Sequence, residues 1–374
     1  MSGGRTMRFT ISQGDLLEAL SAVSNVVPAR TPLPIIGNVL VEAEDDVFSV
    51  SATDLDLSVT VRAAASVDEP GRVTLPARKL TDMVRALPAS VVRVEGSGEH
   101  VTVECESSRF RVHGLPAEDF PGFPKLDFAT GFAVAAGVVD RLATRTAFAA
   151  STEDTRPILN GVLWEVGEDR MQMVATNGHR LARYSVPSPN GGSESRSMIV
   201  PPKALAQIGR IFAPDDELRV ATDGKQIGFQ GQRGEVFSRL IEGPYPNYEQ
   251  VIPRDNDKRA RLDKERLVGA LRRMVVMASD QTHRVRLSLG DDLLRFHVST
   301  PDVGEGSEQM PAAYEGDEID IGFNANYLLE VLRFVDSDEV EMTLKAPERA
   351  AVVMPADGGD EAFLCLVMPL RLQE

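Results

Sequence analysis

Cysteine is scarce in this sequence, and long apolar segments are missing from it. The 374 residues include two cysteines, Cys105 and Cys365, which are too few for a disulfide framework and favour a reducing compartment. No run of about 18 apolar residues occurs, so no membrane span is expected. Residues 1–6 lack the apolar core of a secretory signal, and we expect them to form a flexible leader. These absences together predict a cytoplasmic protein.

The sequence also lacks the short motifs of common catalytic chemistries. It contains no GxxxxGK[ST] phosphate loop, no HExxH zinc motif, no CxxC pair and no ordered Ser-His-Asp set. Asp54 and Asp56 follow a predicted strand, and Asn177, Gly178 and His179 stand at the same place one repeat later. Because a functional acid pair would not be replaced so freely, we interpret both segments as turns. We predict no catalytic residues, no metal site and no cofactor.

Basic side chains are in the minority: 40 Lys and Arg against 56 Asp and Glu give a formal net charge of −16. This average argues against nucleic-acid binding unless the basic residues are gathered on one surface. The predicted helices hold 12 basic and 7 acidic residues and carry +5, so the remaining chain carries −21. These helices are predicted at 15–27, 77–87, 138–150, 202–212, 263–277 and 324–335. Two interpretations stay open, namely a shared surface for DNA phosphates, or good helix formers on solvated faces.

A strand-turn-helix segment occurs three times, at 73–87, 198–212 and 320–334, with offsets of 125 and 122 residues. Apolar residues recur in each copy with helical spacing. The stripes comprise Leu80, Met83, Val84 and Leu87, then Leu205, Ile208 and Phe212, then Tyr327, Val331 and Phe334. Asp15 and Asp263 are predicted to cap the other helix of the first and third copies. An internal period of this length predicts repeated domains.

The segments between the helices alternate as antiparallel strands do, which predicts an α+β fold of two helices packed on antiparallel sheets in each repeat. Proline and aromatic residues mark two connectors, at 114–124 and 242–253. We therefore expect three domains, at 1–127, 128–253 and 254–374.

Five sequence runs carry a family resemblance. They are LPIIGN (33–38), VTLPARKL (73–80), ATNGHRLA (175–182), IGFNANYLLEVL (321–332) and VMPLRL (367–372). In this order and spacing the chain resembles the bacterial sliding clamp family, the β subunit of DNA polymerase III. The resemblance implies three tandem DNA-clamp repeats and a ring-forming, head-to-tail homodimer around double-stranded DNA, held without sequence preference. It implies a non-catalytic processivity factor of DNA replication that is associated with the nucleoid.

The resemblance also implies partners that bind through short peptide motifs. They are the replicative DNA polymerase catalytic subunit, the clamp loader, other DNA polymerases, and mismatch-repair and ligase factors. The positions matching the family's peptide pocket are Leu159, Thr176, Gly178, His179, Arg180, Leu181, Pro246, Val251, Val367, Met368, Pro369, Leu370 and Arg371. Ordinary core packing is the alternative for Leu159 and Leu181, and a loop histidine for His179. Gln250 stands where the family commonly has a basic residue.

Basic positions and a dimer seam complete the predicted sites. The DNA-facing candidates are Arg30, Arg78, Lys79, Arg85, Arg141, Arg145, Lys203, Arg210, Arg272 and Arg273. The family's dimer interface corresponds to Phe110 and Val112 on one side and to Val276 and Met277 on the other, with ordinary core as the alternative.

Two other protein classes remain open on the residues alone. An acidic three-repeat adaptor would bind peptides without DNA and predicts no basic excess on the helices. A hydrolase with dispersed carboxylates would need a cleft in which titratable groups converge.

Overall fold

The computed structural model describes residues 7–97, 99–188, 195–301, 303–358 and 362–372. The leader predicted at 1–6 lies outside the described residues. Over the described part, no helix is both long and apolar enough to span a membrane.

Six α-helices form in the described chain. They are α1 (Gln13–Ser24), α2 (Ala77–Ala86), α3 (Ala136–Thr144), α4 (Pro202–Ile211), α5 (Lys264–Met277) and α6 (Ala325–Leu332). All six predicted helices are present, although the third is shorter than expected and is followed by a single 3-10 turn at Ala147–Ala149. Helix α1 packs on α2, and α5 packs on α6.

The part of the chain that the structure describes also forms twenty-six strands. They are β1 (Met7–Ser12), β2 (Asn38–Glu44), β3 (Val47–Thr53), β4 (Leu57–Ala64), β5 (Ser66–Glu69), β6 (Gly71–Pro76), β7 (Val91–Ser97), β8 (His100–Cys105), β9 (Ser108–His113), β10 (Phe132–Ala135), β11 (Val162–Val166), β12 (Arg170–Thr176), β13 (Arg180–Pro187), β14 (Arg196–Val200), β15 (Glu217–Thr222), β16 (Gln226–Gly231), β17 (Gly234–Arg239), β18 (Lys258–Asp263), β19 (Arg284–Gly290), β20 (Leu293–Thr300), β21 (Gly304–Pro311), β22 (Ala313–Glu315), β23 (Ile319–Asn324), β24 (Glu339–Leu344), β25 (Ala351–Pro355) and β26 (Ala362–Val367). Every pairing between them is antiparallel, as the alternation of the sequence predicted.

The chain folds into two compact units. The first comprises residues 1–140 and 203–240, and the second comprises 141–202 and 241–374. The first unit holds a five-stranded sheet, β5-β1-β7-β8-β9, and an eight-stranded sheet, β10-β15-β16-β17-β4-β3-β2-β6. The second holds a nine-stranded sheet, β14-β11-β12-β13-β26-β25-β24-β18-β22, and a four-stranded sheet, β21-β20-β19-β23.

Two strand pairs join consecutive repeats within one sheet. In the first unit β17 pairs with β4, and Val236 lies opposite Val59. In the second unit β26 pairs with β13, and Cys365 lies opposite Ala182. Each larger sheet therefore contains strands from two repeats, so the last strand of one repeat completes the sheet of another.

Helix caps confirm one sequence prediction and correct another. The Asp263 side chain accepts a hydrogen bond from the backbone N–H of Arg266 at 2.8 Å, so Asp263 caps α5 as predicted. Asp15 is not the cap of α1, because the backbone N–H of Asp15 donates to the Ser12 hydroxyl at 3.0 Å. Ser12 rather than Asp15 caps the helix because Ser12 immediately precedes the first helical residue, and a side-chain oxygen at that position reaches the free N–H groups.

The apolar stripe of α6 lies one residue later than predicted. Leu328, Val331 and Leu332 are buried, whereas Tyr327 and Phe334 are half-buried. The prediction aligned the third copy on its strand residues and missed a one-residue shift in the helix. Tyr327 is therefore free to make contacts other than core packing.

One turn motif recurs after β3, β12 and β15. In each copy a threonine hydroxyl accepts from an N–H two residues on, and the Asp or Asn that follows accepts from two further N–H groups. The third residue of each turn has positive φ, at 82° for Leu55, 87° for Gly178 and 85° for Gly224. This confirms that Asp54 and Asn177 are turn residues. Leu55 carries the strain that glycine avoids.

Replacing Leu55 by glycine should relieve this strain. We expect Leu55→Gly to raise the free energy of unfolding by about 1 kcal/mol, because an L-residue in this region costs about 1–2 kcal/mol. Urea denaturation measures the change. The reciprocal control is Gly224→Ala, where a Cβ meets no neighbour within 4 Å, so backbone strain alone should lower stability. An unchanged or lower stability for Leu55→Gly would contradict the assignment of strain to this turn.

Candidate functional site

The turn at 176–180 in the second unit presents exposed backbone beside an apolar cluster. The Thr176 hydroxyl donates to the Arg180 carbonyl at 2.7 Å, and the Asn177 side chain accepts from the N–H groups of His179 and Arg180 at 3.0 Å each. These bonds fix the turn and leave Gly178 and His179 exposed. The turn is therefore rigid and open to a ligand.

The guanidinium of Arg180 is buried between two aromatic rings. It lies 5.4 Å from the centroid of Phe148 and 4.7 Å from that of Tyr327. It donates to the Phe148 carbonyl at 2.5 Å and forms an ion pair with Glu330 on α6. Burial lowers the pKa of Arg180 from its usual value. The side chain ties the turn of the second repeat to the helix of the third.

The C-terminal segment lies against this turn. The N–H of Met368 donates to the His179 carbonyl at 2.8 Å, and the N–H of Leu370 donates to the Gly322 carbonyl at 2.8 Å. Val367 is fully buried in β26, whereas Met368 is 38% exposed. The apolar end of the sequence is thus partly core, and Met368 is its accessible apolar side chain.

A cleft of about 610 Å³ opens beside Met368. Its lining joins the connector after the second repeat to the loop between β24 and β25. The lining residues are Asn247, Glu249, Gln250, Val251, Ile252, Pro253, Arg254, Asp255, Glu348, Arg349, Ala350 and Met368. Val251 is 56% exposed and lines this cleft together with Met368, so the cleft offers two accessible apolar side chains to a ligand.

The pocket residues predicted from sequence divide between this surface and the core beneath it. Leu159 and Leu181 are buried, and Leu181 belongs to a cluster with Leu163, Tyr248 and Ala350. Both leucines therefore pack in the core, as the alternative interpretation of these positions predicted. His179, Pro246, Val251 and Met368 are exposed.

Charge at the cleft is balanced locally. The Asp255 carboxylate accepts from Lys345 at 2.9 Å and from Arg349 at 3.2 Å. The hydrogen bond from Lys345 is the main cause of the lowered pKa of Asp255. Gln250 adds hydrogen-bonding groups to this rim but no charge.

The basic candidates lie on exposed positions, except that Arg145 is half-buried. Four of them are engaged within their own unit: Arg85 with Asp82, Lys203 with Asp54, Arg145 with Asp336 and Arg273 with Glu308. Among the described residues, no carboxylate lies within 4.0 Å of five others, which are Arg30, Arg78, Lys79, Arg210 and Arg272. In the described part of the chain, these five lack the carboxylate that competes with phosphate at the four paired candidates.

Apolar side chains are exposed on the edge strand β9 and on helix α5, which packs against the edge strand β21. Phe110 on β9 is 41% exposed, although it lies directly opposite the buried Val103 of β8. Val276, near the end of α5, is 77% exposed, and Met277 is half-buried. An edge strand with an open apolar face needs a partner or another form of protection.

Three family models match consecutive parts of the chain. They describe the N-terminal, central and C-terminal domains of the DNA polymerase III beta subunit and match residues 7–124, 133–247 and 249–371. The chain belongs to this family. Its members are non-catalytic processivity factors of DNA replication, and the chain is accordingly a sliding clamp.

Beta sliding clamps from other bacteria match this chain along nearly its whole length. The beta sliding clamp of Pseudomonas aeruginosa is 34% identical over 371 residues, covering 98% of this chain and 100% of the relative. A crystal structure of that clamp bound to griselimycin has a TM-score of 0.92 at 34% identity and covers 99% of this chain and 100% of the other. The clamp of Caulobacter crescentus with bound PEG also has a TM-score of 0.92, at 33% identity, covering 99% and 100%.

Sequence reasoning missed several residues of the clamp's cleft region. Phe148, Tyr327 and Glu330 surround Arg180, and Arg349 and Ala350 line the cleft. Correct alignment of α6 would have singled out Tyr327 as a residue off the stripe. No local pattern brings the loop at 346–350 to the connector at 247–255, about a hundred residues away.

Arg180 should matter more for stability than its ion-pair partner. We expect Arg180→Met to lower the free energy of unfolding by about 2–3 kcal/mol, because buried ring and carbonyl contacts are lost together. Glu330→Gln should cost about 1 kcal/mol or less, because the Glu330 side chain is half-exposed and screened. Urea denaturation measures both. Equal losses of stability in the two variants would show that the contacts of Arg180 with the Phe148 and Tyr327 rings do not contribute more than its ion pair with Glu330.

Proposed function

We propose that two copies of the chain pair head to tail, close a ring around duplex DNA, and hold partner proteins at the cleft beside Met368. The single observation that carries this proposal is the repeated strand junction. Each repeat ends in a strand, which is β9, β17 or β26. The strands at the equivalent position for pairing with such a last strand are β4, β13 and β21. Two of these junctions are formed, by β17 with β4 and by β26 with β13. Strands β9 and β21 remain at sheet edges.

The register of the third junction follows from the first two. Phe110 occupies the position of Val236 and Cys365, because each lies opposite the equivalent residue of the preceding strand. By the same ladder comparison, Gly306 occupies the position of Val59 and Ala182. Phe110 of one copy should therefore lie opposite Gly306 of another, Val112 opposite Gly304, and Arg111 opposite Glu305.

Packing supports this register. Val236 and Cys365 are fully buried at the formed junctions, whereas Phe110 is 41% exposed. A Cβ on Gly306 would come within 3.8 Å of both Met274 and Met277, so a phenylalanine ring across from this glycine reaches methionine side chains. Burying such a ring contributes about 1.5–3 kcal/mol. The same contact covers the exposed edge that a monomer would leave open.

A charge reversal tests the register. Arg111→Glu or Glu305→Arg alone should weaken the dimer by on the order of tenfold, because like charges then face each other across the junction. The combined variant should recover the wild-type dimer constant in sedimentation equilibrium.

Arg109→Glu is the matched control. Arg109 pairs with Glu104 of its own chain at 3.0 Å and should face Ser307 across the junction. Its reversal should leave dimerisation nearly unchanged. Failure of the combined Arg111 and Glu305 variant to recover would refute the proposed register.

The DNA-facing surface is proposed on the helices. Arg78 and Lys79 begin α2, Arg210 ends α4 and Arg272 lies within α5, and all four are exposed. The acidic remainder of the chain would repel DNA from other faces. Phosphate contacts without base readout permit movement along the duplex. In this proposal Lys203 and Arg273 contribute less to DNA binding, because each is paired with a carboxylate of its own chain.

Topology separates a ring from an ordinary DNA-binding protein. After loading onto a nicked circle, the clamp should remain bound at salt concentrations that remove contacts with phosphates alone. Cutting the circle should release it, whereas blocking both new ends with bound proteins should retain it. Filter retention of labelled clamp measures this. Equal retention on circular and open linear DNA would rule out encirclement.

The cleft is proposed to bind short peptide segments of the replicative polymerase catalytic subunit, the clamp loader and the other named factors. Turn 176–180 supplies backbone groups, while Val251 and Met368 supply apolar contacts. Methionine adapts to several ligands, which suits a shared site. Effective concentration then keeps a tethered polymerase at the DNA. The domain boundaries 1–127, 128–253 and 254–374 and a cytoplasmic, nucleoid-associated location belong to the same proposal.

Point substitutions test this cleft better than removal of the C-terminal segment. Leu370 and Arg371 bond to Gly322 and Arg284 through their backbones, so truncation would also disturb the fold. Val251→Asp should weaken binding of a cognate polymerase peptide by about 2 kcal/mol, or roughly 30-fold, because a charge replaces an apolar contact.

Val91→Asp provides the matched control. Val91 is 61% exposed on β7, close to the 56% of Val251, yet it lies in the other unit. Fluorescence anisotropy with the labelled peptide should show no change for this variant. Equal weakening by both substitutions would show that the cleft is not the binding site.

A further inference from the structure

Two histidines face each other at the end of the β8–β9 hairpin. His100 and His113 lie directly opposite in the antiparallel register. Their Nδ1 atoms are 3.0 Å apart, and their ring centroids are 4.9 Å apart. Both side chains are exposed. The backbone of the hairpin therefore holds two imidazole nitrogens together at the surface.

We propose that His100 and His113 form a bidentate site for a divalent transition-metal ion of tetragonal preference, such as Cu²⁺ or Ni²⁺. A first-row metal sits about 2.0–2.1 Å from an imidazole nitrogen. With nitrogens 3.0 Å apart, the N–metal–N angle is about 94°, close to the right angle between adjacent ligands of a tetragonal ion.

The hairpin supplies the preorganisation that makes two ligands sufficient. Cross-strand partners in a sheet are held side by side, so binding of the second nitrogen is intramolecular once the first has bound. Within the described residues, no three potential metal ligands gather together, so water or an added ligand completes the coordination. No local sequence pattern indicated this pair, because His100 begins β8 and His113 ends β9, with the whole hairpin between them.

Titration of the full-length, metal-free protein with CuCl₂ or NiCl₂ tests the site. Calorimetry should show one equivalent of bound metal per chain. The electron paramagnetic resonance spectrum of the Cu²⁺ complex should show two coordinated nitrogens. His100→Gln and His113→Gln, made separately, should each weaken binding by on the order of 100-fold, since each removes one arm of the chelate.

His297→Gln is the matched control. His297 is also exposed on a strand, but its cross-strand neighbours are Arg286 and Ser307. Metal binding should be unchanged in this variant. The proposal is overturned if the wild type binds no stoichiometric metal, or if binding survives either the His100 or the His113 substitution.

Discussion

Antiparallel pairing between strands of successive repeats is the interaction on which this structure depends. Strand β17 completes the sheet that contains β4, and β26 completes the sheet that contains β13. Because a sheet edge exposes unpaired backbone groups, each junction satisfies groups that a separate domain would leave open. The two formed junctions also explain why strands from different repeats share one compact unit. The same rule, applied to the edge strands β9 and β21, supports the proposed pairing with a second chain.

The second junction also builds the candidate partner site. Pairing of β26 with β13 brings the C-terminal segment beside the turn at 176–180, and the N–H of Met368 reaches the His179 carbonyl. Arg180 then joins this turn to α6 through Tyr327 and Glu330. The cleft is therefore a consequence of repeat fusion rather than of one domain. Its rim presents the exposed apolar side chains of Val251 and Met368.

Local patterns predicted the elements well and long-range placement poorly. Helical spacing located all six helices, and alternation indicated antiparallel strands between them, because both signals lie within a few neighbouring residues. The predicted cap of α1 was wrong by a few residues, and the predicted apolar stripe of α6 was wrong by one residue. Shifts of this size depend on tertiary packing. Tyr327 and Arg349 became visible as site residues only in three dimensions. The family resemblance supplied the turn and C-terminal positions, whereas their burial came from the structure.

Disulfide cross-linking between copies tests whether β9 of one copy pairs with β21 of another. Arg109→Cys and Ser307→Cys would lie opposite each other at the proposed junction, about 4.5–5.5 Å apart between Cα atoms, a spacing that allows a disulfide. The native Cys105 and Cys365 are buried and remain unreactive. Pairing in the proposed register predicts a covalent dimer under mild oxidation and little covalent dimer from the shifted pair Arg109→Cys with Glu308→Cys. Absence of the dimer, or equal yield from the shifted pair, would contradict it.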